Sequence, residues 1–132
     1  MTTVISPDTA PLTWPRSPGA ARDLVRALLR QGTQHVGDMA LADAVLVTSE
    51  LVTNAIRHGG GLRGFACRLR PGVVEIAVDD SNDAVPVTRP RTSLLVSGGL
   101  GWPAVCRLAD EVSVTHLPCG GKRIVAHVPL AA

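Results

Sequence analysis

Between residues 17 and 58 apolar positions recur every three or four residues; beyond residue 62 they cluster and alternate as in strands. Ser17-Pro18 opens a first helix, with Ser as N-cap and Pro at the first helical position. Ala21, Leu24, Val25 and Leu28 form its apolar stripe, and Gly32 closes it. A second helix is predicted from 38 to about 58, with Leu41, Ala44, Val45, Thr48, Val52, Ala55 and Ile56 as its core stripe and three glycines, 59–61, as its stop. Residues 62–70 and 73–79 are strand candidates joined by Pro71-Gly72. A third helix is expected over roughly 102–110, with Pro103 in its first turn. Residues 112–117 and 123–130 then make a closing hairpin around Pro118-Cys119-Gly120-Gly121. Residues 1–10 read as a loose tail, and 12–14 as a short edge strand stopped by Pro15. The stretch 80–99 reads as a long polar connection whose part from 82 to 98 serves as a mobile lid carrying Arg89 and Arg91. This order predicts one α+β domain over residues 11–132, a two-layer sandwich of a mostly antiparallel sheet with helices packed on one face.

Composition narrows the function. A chain of 132 residues, 45% of them apolar, can bury one core. It has no uninterrupted apolar run of the ~20 residues a membrane span needs. Its N-terminus lacks a basic segment followed by an apolar one, so a cytoplasmic protein is expected. The net charge is +2, the basic residues are scattered, and the aromatics are only Trp14, Phe65 and Trp102. A nucleic-acid surface would need a basic stripe or stacking aromatics, so this class is set aside. Cys67, Cys106 and Cys119 are odd in number and form no CxxC, which suits reduced thiols rather than disulfides or a zinc site.

Candidate chemistry sits at four places. Glu50 and Asn54 are four residues apart on the second helix and share a face, roughly opposite the Leu41, Val45, Val52 stripe. A carboxylate can deprotonate a nucleophile, and an amide oxygen can ligate Mg²⁺; a solvated polar face is the ordinary alternative. His58, one turn later, reads as a helix cap. Asp79 and Asp80 end a buried-looking strand, where a carboxylate can accept from an exocyclic amine such as that of adenine, although 79–83 is also ordinary turn sequence. Gly98-Gly99-Leu100-Gly101 precedes the third helix, where glycines admit a ligand to the backbone and free N–H groups attract phosphate. It matches neither the P-loop nor the Rossmann pattern. Gly120-Gly121-Lys122-Arg123 is either a hairpin turn or a pair of cations facing phosphate.

Taken in order, these pieces resemble the GHKL ATPase family, which includes gyrase and the histidine kinases. Residues 47–58, VTSELVTNAIRH, resemble its N-box in the form E-L-x-x-N-A-x-x-H typical of anti-sigma-factor serine kinases. Asp79-Asp80-Ser81 resembles the D-x-S box, Gly99-Leu100-Gly101-Trp102 the lid-end G-x-G-L, and Gly120-Gly121-Lys122-Arg123 the closing G-G-K-T, so that the resemblance spans about 12–130. It implies the Bergerat fold with bound ATP and Mg²⁺. Glu50 would activate the attacking hydroxyl or water, and Asn54 would ligate Mg²⁺. Asp79 would bind the adenine amine, directly and through water with Ser81. Gly99 and Gly101 would let a lid close on the phosphates, with Leu100 and Trp102 at its end and Lys122 and Arg123 toward the phosphates. Three positions depart from the pattern: Asp83 for a second glycine, Trp102 for Leu, and Arg123 for Thr. The partners implied are a sigma factor and a STAS-type anti-anti-sigma protein bearing the phosphorylated serine, and the resemblance leaves room for a homodimer. No phosphoacceptor-histidine helix precedes the domain, which speaks against a sensor histidine kinase. The rival readings are a non-catalytic regulator whose nucleotide state controls partner binding, and an interaction domain that has lost nucleotide binding.

Overall fold

The computed structural model describes residues 14–84 and 101–130. Helix α1 (Pro18–Gln31) starts where Ser17 Oγ accepts from the Ala20 N–H at 3.1 Å, as the sequence predicts. Gly32 ends it with extended backbone rather than a left-handed cap. What requires glycine there is packing: a Cβ would lie 2.5 Å from Leu69 Cδ2. Helix α2 (Asp38–Arg57) has no side-chain cap at Gly37, but Asp38 places a negative charge in its first turn.

Strands β1 (Leu62–Arg70) and β2 (Val73–Asp80) pair through Pro71-Gly72, and Gly72 takes φ +76°, as the second corner of a type II turn requires. Gln34 clamps this turn. Its Nε2 donates to Arg70 O at 2.8 Å, and its Oε1 accepts from the Gly72 N–H at 2.7 Å. Helix α3 (Gly101–Leu108), β3 (Glu111–His116) and β4 (Lys122–Pro129) follow. The sheet is antiparallel throughout, in the order β1-β2-β4-β3. The expected α+β sandwich is therefore present. Asp80 and Lys122, outside the predicted strands, belong to them because they pair directly in register. Residues 12 and 13 of the expected edge strand, and 85–98 of the expected lid, lie outside the described residues. Trp14 itself is in no strand; it packs half-buried on the core, with the Arg16 guanidinium 4.3 Å from its ring centre.

Alternation assigns the two sheet faces. Phe65, Cys67, Leu69, Val74, Ile76, Val78, Ile124, Ala126 and Val128 are buried and stand opposite one another in register. Helix α2 lies over this face between α1 and α3. Its buried residues are Ala44, Val47, Thr48, Leu51, Val52 and Ala55, so the core arc is rotated from the expected stripe. Val47 and Leu51 are inside, Leu41 and Val45 are half-buried, and Ile56 is 45% exposed. A helix flanked by two others buries a wider arc than one apolar stripe suggests. By length and composition α2 is also apolar enough to cross a membrane, and a third of that apolar stretch is buried within the fold.

Burial pushes the Cys67 thiol from its ordinary 9.0 up to about 12, whereas Cys106 and Cys119 are exposed. A maleimide at neutral pH should therefore label two of the three thiols in the native protein and the third only on unfolding, as intact-mass spectrometry reads. The raised value also fixes a sign. The unfolded chain loses this proton first, so stability contributed by Cys67 is complete below about pH 9 and is lost as the pH rises toward 12.

Candidate functional site

Glu50 and Asn54 stand one turn apart on α2, at the edge of its buried arc rather than opposite it. Both face the start of α3. Gly101, the first residue of that helix, is buried, and a Cβ there would collide with the Glu50 carboxylate and lie 3.6 Å from Asn54 Oδ1. Glycine at 101 thus lets the start of α3, whose first N–H groups have no partner within the helix and carry positive potential, come down onto a carboxylate and an amide oxygen. The donors are hard oxygens, and Mg²⁺ takes only one or two protein ligands and keeps several waters. The residues fit that ion. Among the described residues no three His, Cys, Asp or Glu side chains cluster as a larger metal site.

A second cluster forms where α2, β2 and the β3–β4 turn meet. Asp80 is in phase with Val74, Ile76 and Val78 and points to the helix side; a Cβ on Gly59, just beyond α2, would lie 2.6 Å from its carboxylate. The Lys122 ammonium, 3% exposed, lies 2.9 Å and 3.0 Å from the two Asp80 oxygens and donates to Asn82 O at 2.9 Å. Asp80 Oδ1 also accepts from the Asn82 N–H, and the Asn82 amide donates to His58 O at 2.9 Å. The Ser81 N–H donates to Gly59 O at 2.8 Å, and Asp83 Oδ1 accepts from the Gly121 N–H at 2.8 Å. Gly121, at φ +82°, leaves no room for a side chain against the Asp80 carbonyl.

The outer face of the sheet holds the residues out of phase. Asp79 pairs across strands with Arg123, whose Nε and Nη2 donate to its two oxygens at 2.7 Å and 2.8 Å. Three sequence expectations change here. Asp79 does not face the helices; the alternation of β2 turns it away and turns Asp80 inward. Arg123 is on the same outer face as Asp79, so it does not join Glu50 and Asn54 toward phosphates. Lys122 is on the inner face but is committed to Asp80. Ser81 is exposed and Trp102 packs half-buried on the core; Gly99 and Leu100 lie outside the described residues. His58 caps α2 through its backbone, its N–H donating to Asn54 O at 2.8 Å, rather than through its ring. The sequence names Asp80 beside Asp79 but the resemblance gives the role to Asp79, and Asn82 is not singled out at all. The signal for Asp80 was available: its spacing of two from Val78 continues the buried series.

Residues 14–126 match the model of the histidine kinase-like ATPase domain, and the chain belongs to that family. The antiparallel four-stranded sheet under helices is the Bergerat-type arrangement, and membership implies an ATP-binding, kinase-like regulator of the GHKL type. No curated protein is similar enough to the chain to count as a match.

The buried pair has a measurable signature. Lys122→Met leaves the Asp80 carboxylate uncompensated and should cost about 3–5 kcal/mol in urea denaturation. Arg123→Ala should cost less, because the Arg123 side chain is 29% exposed and water can take its place beside Asp79, although Asp79 itself is as buried as Asp80. Equal effects would mean that the two pairs share one environment.

Proposed function

We propose that this protein is an ATP-dependent protein serine kinase of the anti-sigma-factor type. The observation that carries the reading is the convergence of Glu50 and Asn54 on the glycine that begins α3. Glu50 takes the proton of the attacking serine hydroxyl as its oxygen bonds to the terminal phosphorus of ATP and ADP departs. Asn54 supplies the amide oxygen that would hold Mg²⁺, and the N-terminus of α3 offers N–H groups to the phosphates. The ion, when bound, neutralises phosphate charge and fixes its geometry. Asp80, rather than Asp79, accepts from the adenine amine: it is on the helix side of the sheet, and the Lys122 ammonium, 2.9 Å and 3.0 Å from its two oxygens, orients it. The serine belongs to a STAS-type anti-anti-sigma protein, and a sigma factor is the regulated partner.

A second reading, a non-catalytic ATP-binding regulator, gains support from one feature. Lys122 and Arg123, the cations of the closing glycine-rich box, are engaged with Asp80 and Asp79. Transfer would then depend on Mg²⁺ and α3 for charge neutralisation.

Calorimetry with Mg-ATP and transfer of radiolabelled phosphate to the serine partner separate these. Glu50→Ala should bind ATP nearly as well as the native protein but transfer about 10²–10⁴-fold more slowly. Asn54→Ala should weaken binding and transfer together. A native protein that binds Mg-ATP yet never phosphorylates the serine partner is the regulator; one that shows no heat at millimolar Mg-ATP is neither.

A further inference from the structure

On the flank of α2 away from α3 lies a groove of about 440 Å³ between α2 and α1, lined by Arg22, Arg26, Leu41, Val45, Leu46 and Ser49, with Asp38 at one end. Its floor is apolar, and much of it is not covered. Leu46 is 42% exposed and Met39, two turns earlier on the same line of α2, is 74% exposed. Large apolar side chains left open in a row mark a surface that another element covers. The core has no use for them, since α2 already places Val47, Leu51 and Val52 inside.

The rim gives the groove a sign. Arg22 and Arg26 are one turn apart on α1, and Arg22 is held in place by its Nη1 donating to Ser49 Oγ at 3.0 Å. Among the described residues Arg26 pairs with Asp23 at 3.2 Å, an exposed contact that contributes little. The helices run antiparallel across a short connection, so Arg22 lies near Ser49, far from Asp38, which opens α2. The groove is thus cationic along α1 and acidic at the end where α2 begins.

We infer that this groove docks an amphipathic helix of a partner protein, with apolar residues spaced i, i+3 or i+4, and i+7 over Leu41, Val45 and Leu46 and carboxylates one turn apart facing Arg22 and Arg26. An apolar groove receives a helix through such anchors, and guanidinium groups at its rim select carboxylates and set the docking direction. Leu41 and Val45 put most of the groove on the α1 side of α2, while Leu46, on its outer lip, stands one turn before Glu50; the inference does not rest on the proposed kinase activity.

The test uses the full chain and two dye-labelled, helix-forming peptides of identical leucine pattern, one with glutamates flanking the leucines and one with lysines. Fluorescence anisotropy should show saturable binding of the glutamate peptide, weakened by salt, and at least ~10-fold weaker binding of the lysine peptide. Leu46→Glu, at an exposed position that leaves the core intact, should weaken the glutamate peptide by about 10-fold or more. The double variant Arg22→Glu, Arg26→Glu should reverse the preference, which a misfolded protein would not do. Amide shifts on titration should fall on the groove residues. Three outcomes would overturn the inference: equal binding of both peptides or none; a dimer by ultracentrifugation that Leu46→Glu dissociates, which assigns the groove to a second copy; or shifts in residues 1–13 caused by Leu46→Glu without peptide, which assign it to this chain's own segment.

Discussion

The buried ion pair of Asp80 and Lys122 holds the last residues of β2 and the first of β4 together at the end of α2. Charges this far from water are tolerated only when paired and fully hydrogen-bonded. The Asn82 N–H and carbonyl complete that shell. Two glycines make the approach possible, Gly59 under the carboxylate and Gly121 against the Asp80 carbonyl, and either would clash as any other residue. Through Asn82, Ser81 and Asp83 the same knot ties the loop after β2 to the end of α2 and to the β3–β4 turn. Helix α2 is therefore fixed at its C-terminal end, and with it the height at which Asn54 and Glu50 stand over the sheet.

Fixing α2 between α1 and α3 divides its surface into three uses. The buried arc packs on β2 and β4. One edge brings Glu50 and Asn54 to the start of α3, where backbone N–H groups and positive potential meet a carboxylate and an amide. The other flank lines a groove with the arginines of α1, and the solvent-facing line between the two edges leaves Leu46 and Met39 exposed. One helix thus joins the edge that carries Glu50 and Asn54 to an apolar, cationic groove.

Much of this was legible in the sequence. Ser17-Pro18, Pro71-Gly72 and the valine-rich runs encode their own caps, turns and strands, because the determinants are local. Helical spacing puts Glu50 and Asn54 on one face, and both stand against Gly101. The errors came from effects that are not local. The core stripe of α2 was misplaced because its burial depends on two neighbouring helices. The motif match points to Asp79 because it ignores the pleat; a one-residue step along a strand moves a side chain to the other face, and Asp80 is the one on the helix side. Lys122 and Arg123 read as phosphate ligands because their carboxylate partners lie more than forty residues away in sequence. The requirement at Gly32 was likewise hidden, since it comes from Leu69 on β1.

The central claim is that the inward carboxylate, Asp80, is the one that meets the nucleotide while Asp79 serves the outer face. Carbon NMR of the side-chain carboxylates during titration with Mg-ATP reads each aspartate separately without altering the protein. The account predicts that the Asp80 carboxylate and the Lys122 ammonium signals move with saturation while those of Asp79 and Arg123 stay in place. Movement of Asp79 and Arg123 with Asp80 unchanged would contradict it.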